Sequence, residues 1–263
     1  MKLGNIRVEG AQVFVLPVKE HRFVLVLRGD DLEADLSDTD PQREGLAPPP
    51  VTAVNDSAKA TARLVNQFIT SAKESLSHEG KGNMVLLRGF AKKPSLPSME
   101  DIFGLRAAAI ASYPMYRGLA KLVGMKVVAT GTSIEEELAT LEAEYGNFDF
   151  FYVHVKGADS AGEDGDFSRK VKVIEQVDSC IPRLERMKPD VLIVTGDHST
   201  PAIMKSHSWH QVPFVIRSRW CVGDGLPKFS ERHCSRGSLG TFPALAVMPL
   251  AMANALKLAK YGA

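Results

Sequence analysis

Two short β-branched or aromatic runs, residues 11–16 and 23–27, flank a proline-containing turn and predict a β-hairpin. Residues 29–50 then turn polar and acidic. They include Ser37-Asp38-Thr39-Asp40-Pro41 and end in Pro48-Pro49-Pro50, a stretch too stiff and too polar for helix or strand. Apolar residues next recur at helical spacing, at Ala58, Ala62, Val65, Phe68, Ile69, Ala72 and Leu76. The helix they predict is N-capped by Asp56 or Ser57 and stops near Gly80. Residues 84–87 predict a short strand, and residues 105–123 a helix interrupted near Pro114. From residue 125 the rhythm changes: strands over 125–129, 148–155 and 190–194 alternate with helices over 133–145 and 167–187. The runs Phe148-Asp149-Phe150-Phe151-Tyr152-Val153 and Val191-Leu192-Ile193-Val194 are nearly continuous in apolar residues, as strands covered on both faces must be. A parallel α/β sheet follows, and such sheets collect ligands at the carboxyl ends of their strands.

Composition adds mostly exclusions. With 263 residues, 44% of them hydrophobic and 24% charged, the chain suffices for one large domain or two smaller ones. A net charge of +1 creates no field that would draw in nucleic acid or an anionic membrane, so neither is expected as a partner. Cys180, Cys221 and Cys234 are odd in number and share no C-x-x-C spacing, which suits free thiols in a reducing compartment. The first ten residues build no apolar signal core, and the apolar stretch 242–256 contains two prolines and is shorter than the roughly 20 residues a bilayer requires. A cytoplasmic protein is expected.

Candidate chemistry lies just past two of the predicted strands. After strand 148–155 comes Lys156-Gly157-Ala158-Asp159-Ser160-Ala161-Gly162-Glu163-Asp164-Gly165-Asp166, read as a glycine-rich loop carrying four acids within eight residues. After strand 190–194 comes Thr195-Gly196-Asp197-His198-Ser199-Thr200, followed by Ser206-His207-Ser208-Trp209-His210. Carboxylates and imidazoles arriving from neighbouring strand ends are what a pair of divalent cations requires: hard oxygen donors suit Mg²⁺ or Mn²⁺, and imidazole admits Mn²⁺ or Zn²⁺. Two ions about 4 Å apart can hold both the attacking and the leaving oxygen of a phosphoryl transfer. Asp164 and Asp166, directly before helix 167–187, read better as caps or solvated turn residues. His154 and His210 read better as surface or structural histidines.

The stretch Thr195 to Thr200, with Lys205-Ser206-His207-Ser208 and Val212-Pro213-Phe214-Val215-Ile216, resembles the C-terminal metal-binding signature of archaeal-type cofactor-independent phosphoglycerate mutases, members of the alkaline phosphatase superfamily. His154-Val-Lys-Gly-Ala-Asp159, Glu20-His-Arg-Phe23, Ser37-Asp-Thr-Asp-Pro41, Asn83-Met-Val-Leu-Leu-Arg-Gly89 and Tyr116-Arg-Gly118 resemble family segments in the same order, so the resemblance covers nearly the whole chain.

It implies an α/β fold: an alkaline-phosphatase-like, mostly parallel sheet sandwiched by helices, with an inserted α+β cap domain. Residues 1–10 would be a core or linker remnant, 11–104 the substrate-covering cap and 105–263 the metal-binding core. It implies one cation on Asp159, Glu163 and His207, and a second held partly by Asp197 and His198. Glu163 stands where several relatives carry histidine, which favours Mn²⁺ or Mg²⁺ over Zn²⁺. His21, Arg22, Asp38, Asp40, Arg88 and Lys156 are the implied contacts for phosphoglycerate, the arginines as bidentate partners of phosphate and carboxylate.

The implied reaction interconverts 3- and 2-phosphoglycerate through a phosphoserine. Ser160, Ser199, Ser206 and Ser208 lie beside the implied ligands, yet none is read as that nucleophile. The chain therefore reads as N-terminally truncated, and a complementing polypeptide or self-association is expected. The alternatives are a phosphomonoesterase or phosphonate hydrolase of the same superfamily, and a non-catalytic metal-binding fragment or subunit.

Overall fold

The computed structural model describes residues 2–18 and 22–258. The chain forms two compact units, Met1–Ser95 and Leu96–Ala263.

In the first unit the predicted hairpin is present. Strand β1 (Gln12–Pro17) pairs antiparallel with β2 (Phe23–Arg28), with Phe14 opposite Val26 and Leu16 opposite Val24. The other face of the hairpin turns Val13, Val15, Phe23, Leu25 and Leu27 onto helix α1 (Lys59–Leu76), which buries Thr61, Ala62, Val65, Phe68, Ile69 and Ala72. The cap is neither Asp56 nor Ser57. Asn55 has extended backbone and accepts the Ala58 N–H at 3.1 Å, opening a 3₁₀ turn, Asp56–Ala58, that runs into α1. The helix ends at Leu76, short of Gly80.

The strand expected over residues 84–87 does not form. Val85 and Leu87 are buried in this core, but the Leu87 N–H donates to the Thr39 hydroxyl at 2.7 Å and the Leu87 carbonyl accepts the Thr39 N–H at 2.8 Å. Thr39 is 0% exposed. A side chain thus satisfies the backbone where a ladder would have done so.

The second unit begins with helix α2 (Met99–Phe103), whose N-cap Ser98 and Asp101 form a capping box. Strand β3 (Ala107–Ala111) and helix α3 (Pro114–Leu122) follow, where one interrupted helix was expected. Alanine favours helix in isolation, but all five residues of β3 are buried and tertiary packing overrides that preference. Ala107 and Ala109 pack with Ala120 of α3 and with Met125. Ile110, on the other face, packs with Leu138, Leu141 and Cys180.

Strand β4 (Lys126–Val127), helix α4 (Ile134–Glu144), strand β5 (Phe150–His154), helix α5 (Gly157–Glu163), helix α6 (Phe167–Arg186) and strand β6 (Val191–Thr195) continue the alternation. Strand β7 (Phe214–Ser218) and helices α7 (Glu231–Cys234) and α8 (Val247–Asn254) complete the chain. The parallel sheet has the order β4-β3-β5, with helices on both faces. Strand β6 was expected to extend it, but pairs antiparallel with β7, Val191 opposite Ser218 and Thr195 opposite Phe214. Among the described residues no helix is long and apolar enough to cross a membrane.

Phe68 is fully buried in the first unit's core. Phe68→Ala is expected to destabilise the chain by about 3–5 kcal/mol, seen as a lower denaturant midpoint. Asn55→Ala should cost about 1 kcal/mol in the same measurement.

Candidate metal centre

The segment after β5, expected to be an acidic loop, is helix α5, and this places Asp159 in a first turn where the helix dipole favours a carboxylate. Its side chain is only 13% exposed. Oδ1 accepts the Thr200 hydroxyl at 2.5 Å, and the Lys156 ammonium lies on Oδ2. His198 Nδ1 is 3.8 Å and His207 Nε2 3.6 Å from Oδ1. Asp159, His198 and His207 each offer a ligand atom, all within 4.8 Å of one another. Glu163, one helical turn beyond Asp159, brings Oε1 to 3.7 Å from His207 Nε2. The His207 side chain is 58% exposed, so the cluster is closed behind Asp159 and open beside His207.

Thr200 selects the histidine tautomer. It is buried, and its Oγ1 lies 3.0 Å from His198 Nδ1. Because the hydroxyl gives its proton to Asp159, a neutral His198 must donate Nδ1–H to Thr200 and keep its lone pair on Nε2. That atom is 3.5 Å from Asp197 Oδ2. An imidazole oriented through its second nitrogen is the usual condition of a metal-binding histidine.

Local packing keeps the two loops in register. A Cβ on Gly162 would stand 2.3 Å from the Thr200 carbonyl oxygen, so only glycine lets α5 approach that closely. Lys170 donates to the same carbonyl at 2.5 Å. Ser208 N–H donates to the Ser199 carbonyl at 2.9 Å, folding His207 back beside His198 with ring centroids 4.0 Å apart. Asp166 caps α6 through the Arg169 N–H at 2.9 Å, and Asp164 pairs with Arg169. Ser199 and Ser206 donate to the carbonyls of His210 and Met204, and Ser208 bonds the His210 ring.

The contacts around Asp159 and Asp197 favour their ionised forms. Burial opposes the charge on Asp159, but hydrogen bonds from Lys156 and Thr200 and nearby positive charge hold its carboxyl below the ordinary aspartate value. Burial likewise opposes the charge on Lys156, but Asp159 outweighs it and the lysine pKa is raised. Asp197 follows the same pattern. Its burial is outweighed by the bond donated from Tyr116 and by His198, and its pKa is lowered. Burial, with Asp197 nearby, pushes the Tyr152 phenol up to about 12.

The expected substrate contacts other than Lys156 lie in the first unit. Asp38 accepts the Gly89 N–H at 3.0 Å, and Arg88 reaches Asp40 at 3.3 Å, so the Thr39–Leu87 pairing holds these three side chains in one place. The Arg22 carbonyl accepts the Val18 N–H at 3.0 Å. His21 lies outside the described residues. Sequence reasoning assigned no role to Thr200, Gly162 or Tyr116. Thr200 and Tyr116 fell within quoted motifs, but their partners come from distant segments that no spacing connects.

A profile described as the metalloenzyme superfamily matches residues 54–254. The chain belongs to the metalloenzyme superfamily. Within that superfamily it resembles the 2,3-bisphosphoglycerate-independent phosphoglycerate mutases, whose profile matches residues 2–80. A Thermosipho melanesiensis protein named "probable 2,3-bisphosphoglycerate-independent phosphoglycerate mutase" is 52% identical over 258 residues, 98% of this chain and 64% of the relative. A Thermotoga neapolitana protein of the same name is 49% identical over 257 residues, with the same shares of 98% and 64%. The solved cofactor-independent phosphoglycerate mutase from Thermoplasma acidophilum aligns with a TM-score of 0.67 at 26% identity, over 97% of this chain and 68% of its own. The chain thus spans 64% of the length of the curated relatives it matches. The superfamily match and this structural likeness fit the alkaline-phosphatase-like α/β fold.

Gly162→Ala should force α5 away from Thr200 and part Asp159 from His198. The expected result is a loss of about 1–3 kcal/mol of stability from overpacking and a Mn²⁺ affinity lower by about tenfold or more, read by denaturation and calorimetric titration.

Proposed function

We propose that this chain supplies the metal-binding part of a phosphoglycerate mutase that interconverts 3- and 2-phosphoglycerate. The observation that carries the reading is the convergence of Asp159, His198 and His207 beyond the ends of two strands, in a chain about half identical to proteins named as probable mutases of this kind.

The donors fit divalent cations. Carboxylate and imidazole together suit Mn²⁺, and an ammonium already rests on Asp159, so the position draws positive charge. In this reading Asp159, Glu163 and His207 hold one ion, and Asp197 and His198 contribute to a second. When bound, such ions neutralise charge on a transferring phosphoryl group. Glu163 adds a carboxylate beside His207 and biases the site toward Mn²⁺ or Mg²⁺ over Zn²⁺. Lys156, released from Asp159 by a cation, is free to contact the substrate phosphate.

In residues 11–104, proposed as the substrate-covering cap, Arg88 and Arg22 grip phosphate and carboxylate, with His21 assisting. Asp38 and Asp40 order the Arg88 loop. Ser160, Ser199, Ser206 and Ser208 are not assigned as nucleophiles. The proposed setting is the cytoplasm, where the three free cysteines stay reduced.

The test assays the chain with Mn²⁺ on 3-phosphoglycerate and on a chromogenic phosphate ester. It is run alone and with any separately encoded polypeptide matching the remainder of the relatives. Formation of 2-phosphoglycerate supports the proposal, whereas ester hydrolysis without isomerisation replaces it with a phosphatase. Asp197→Ala and His207→Ala are each expected to abolish stoichiometric metal uptake and Asp166→Ala to preserve it, measured by metal analysis after gel filtration. Full metal content in both of the first two variants would reject the ligand set.

A further inference from the structure

Tyr116 stands outside every role assigned so far, yet it bridges the last residue of β5 and the loop after β6. Pro114 occupies the first position of α3, three residues beyond the end of β3, and its fixed backbone angle starts the helix there. Tyr116 therefore falls in the first turn, with 6% of its surface exposed. Its phenol donates a hydrogen bond to Asp197 Oδ2 in the loop after β6. Its ring stacks on His154, the last residue of β5, with centroids 3.5 Å apart and planes 25° from parallel.

Asp197 depends on that bond for its orientation. Among the described residues its Oδ1 accepts only the N–H of the next residue, His198, at 3.1 Å, an anchor that moves with its own loop. The Tyr116 bond to Oδ2 is the one that ties the carboxylate to a different element. His154 in turn presents its ring face: its Nδ1 is buried without a hydrogen-bond partner among the described residues. A histidine used for its face leaves the phenol O–H of its stacking partner to choose its own acceptor, and the acceptor chosen is the carboxylate beside His198.

We propose that Tyr116 is a positioning residue of the metal centre: it holds the Asp197 carboxylate in the orientation that reaches a cation, and it is itself located by the ring of His154. This role rests on the reading of Asp197 as a ligand. Outer donors that fix a ligating carboxylate typically change metal affinity by about 10- to 100-fold, whereas a residue that only fills space changes stability and leaves affinity alone.

The experiment is a Mn²⁺ titration by calorimetry of the full chain, with thermal melting in EDTA as the control for folding. Tyr116→Phe removes the hydroxyl and keeps the ring. It is expected to weaken Mn²⁺ binding by about 10- to 100-fold with an unchanged melt. Should Tyr116→Phe disturb folding, the His154 pair decides: His154→Phe preserves a stacking face and should bind Mn²⁺ like the wild type, and His154→Ala should not. Wild-type affinity in Tyr116→Phe overturns the role while leaving the metal site intact. A wild-type chain that takes up no Mn²⁺ overturns the metal site and this role together.

Discussion

The arrangement at the strand tips depends on one buried hydrogen bond, from the Thr200 hydroxyl to Asp159. It joins α5, which follows the parallel sheet, to the loop leaving β6, which belongs to a separate antiparallel pair. No ladder links β5 to β6 among the described residues, so side chains beyond their ends carry the register between them. Thr200 does this twice, since the oxygen that donates to Asp159 also fixes the ring of His198. A hydroxyl with one proton and two lone pairs can do both only if the imidazole is the donor, and that condition sets which nitrogen faces outward.

The same economy governs charge. Asp159 is nearly enclosed, and an isolated carboxylate there would be expensive to keep ionised. Lys156, from the residue preceding α5, answers it. Asp197 is more open and is answered by a neutral donor, Tyr116. The two carboxylates are thus held by different means, one by an ion pair and one by a phenol. An incoming cation competes directly with a resident charge only at Asp159.

Much of this was legible in the residues. Strand and helix periodicity located β4, β5, β6, α4 and α6, and the acidic and histidine motifs fell beyond the carboxyl ends of β5 and β6, although only β5 belongs to the parallel sheet. What failed did so for physical reasons. Alanines of β3 read as helix because local propensity cannot register helices pressing on both faces of a central strand. Residues 84–87 read as a strand because the burial of Val85 and Leu87 was correctly sensed, while the partner that replaced a ladder was the side chain of Thr39. Glycines 157 and 162 made α5 look like a loop, although at Gly162 the missing side chain serves close packing against Thr200. Tyr116 could not be assigned from spacing, since its partners are 38 and 81 positions away.

The alanines of β3 have a further consequence. Ala109 offers almost no volume between the sheet and the neighbours of α3, so that helix lies close to the strand, and from there Tyr116 spans the distance to His154 and Asp197. The hold on the Asp197 carboxylate is therefore set by the thickness of a buried packing layer. Variation in side-chain size within that layer would shift Tyr116 and, through it, the Asp197 carboxylate, without altering any residue of the proposed metal site.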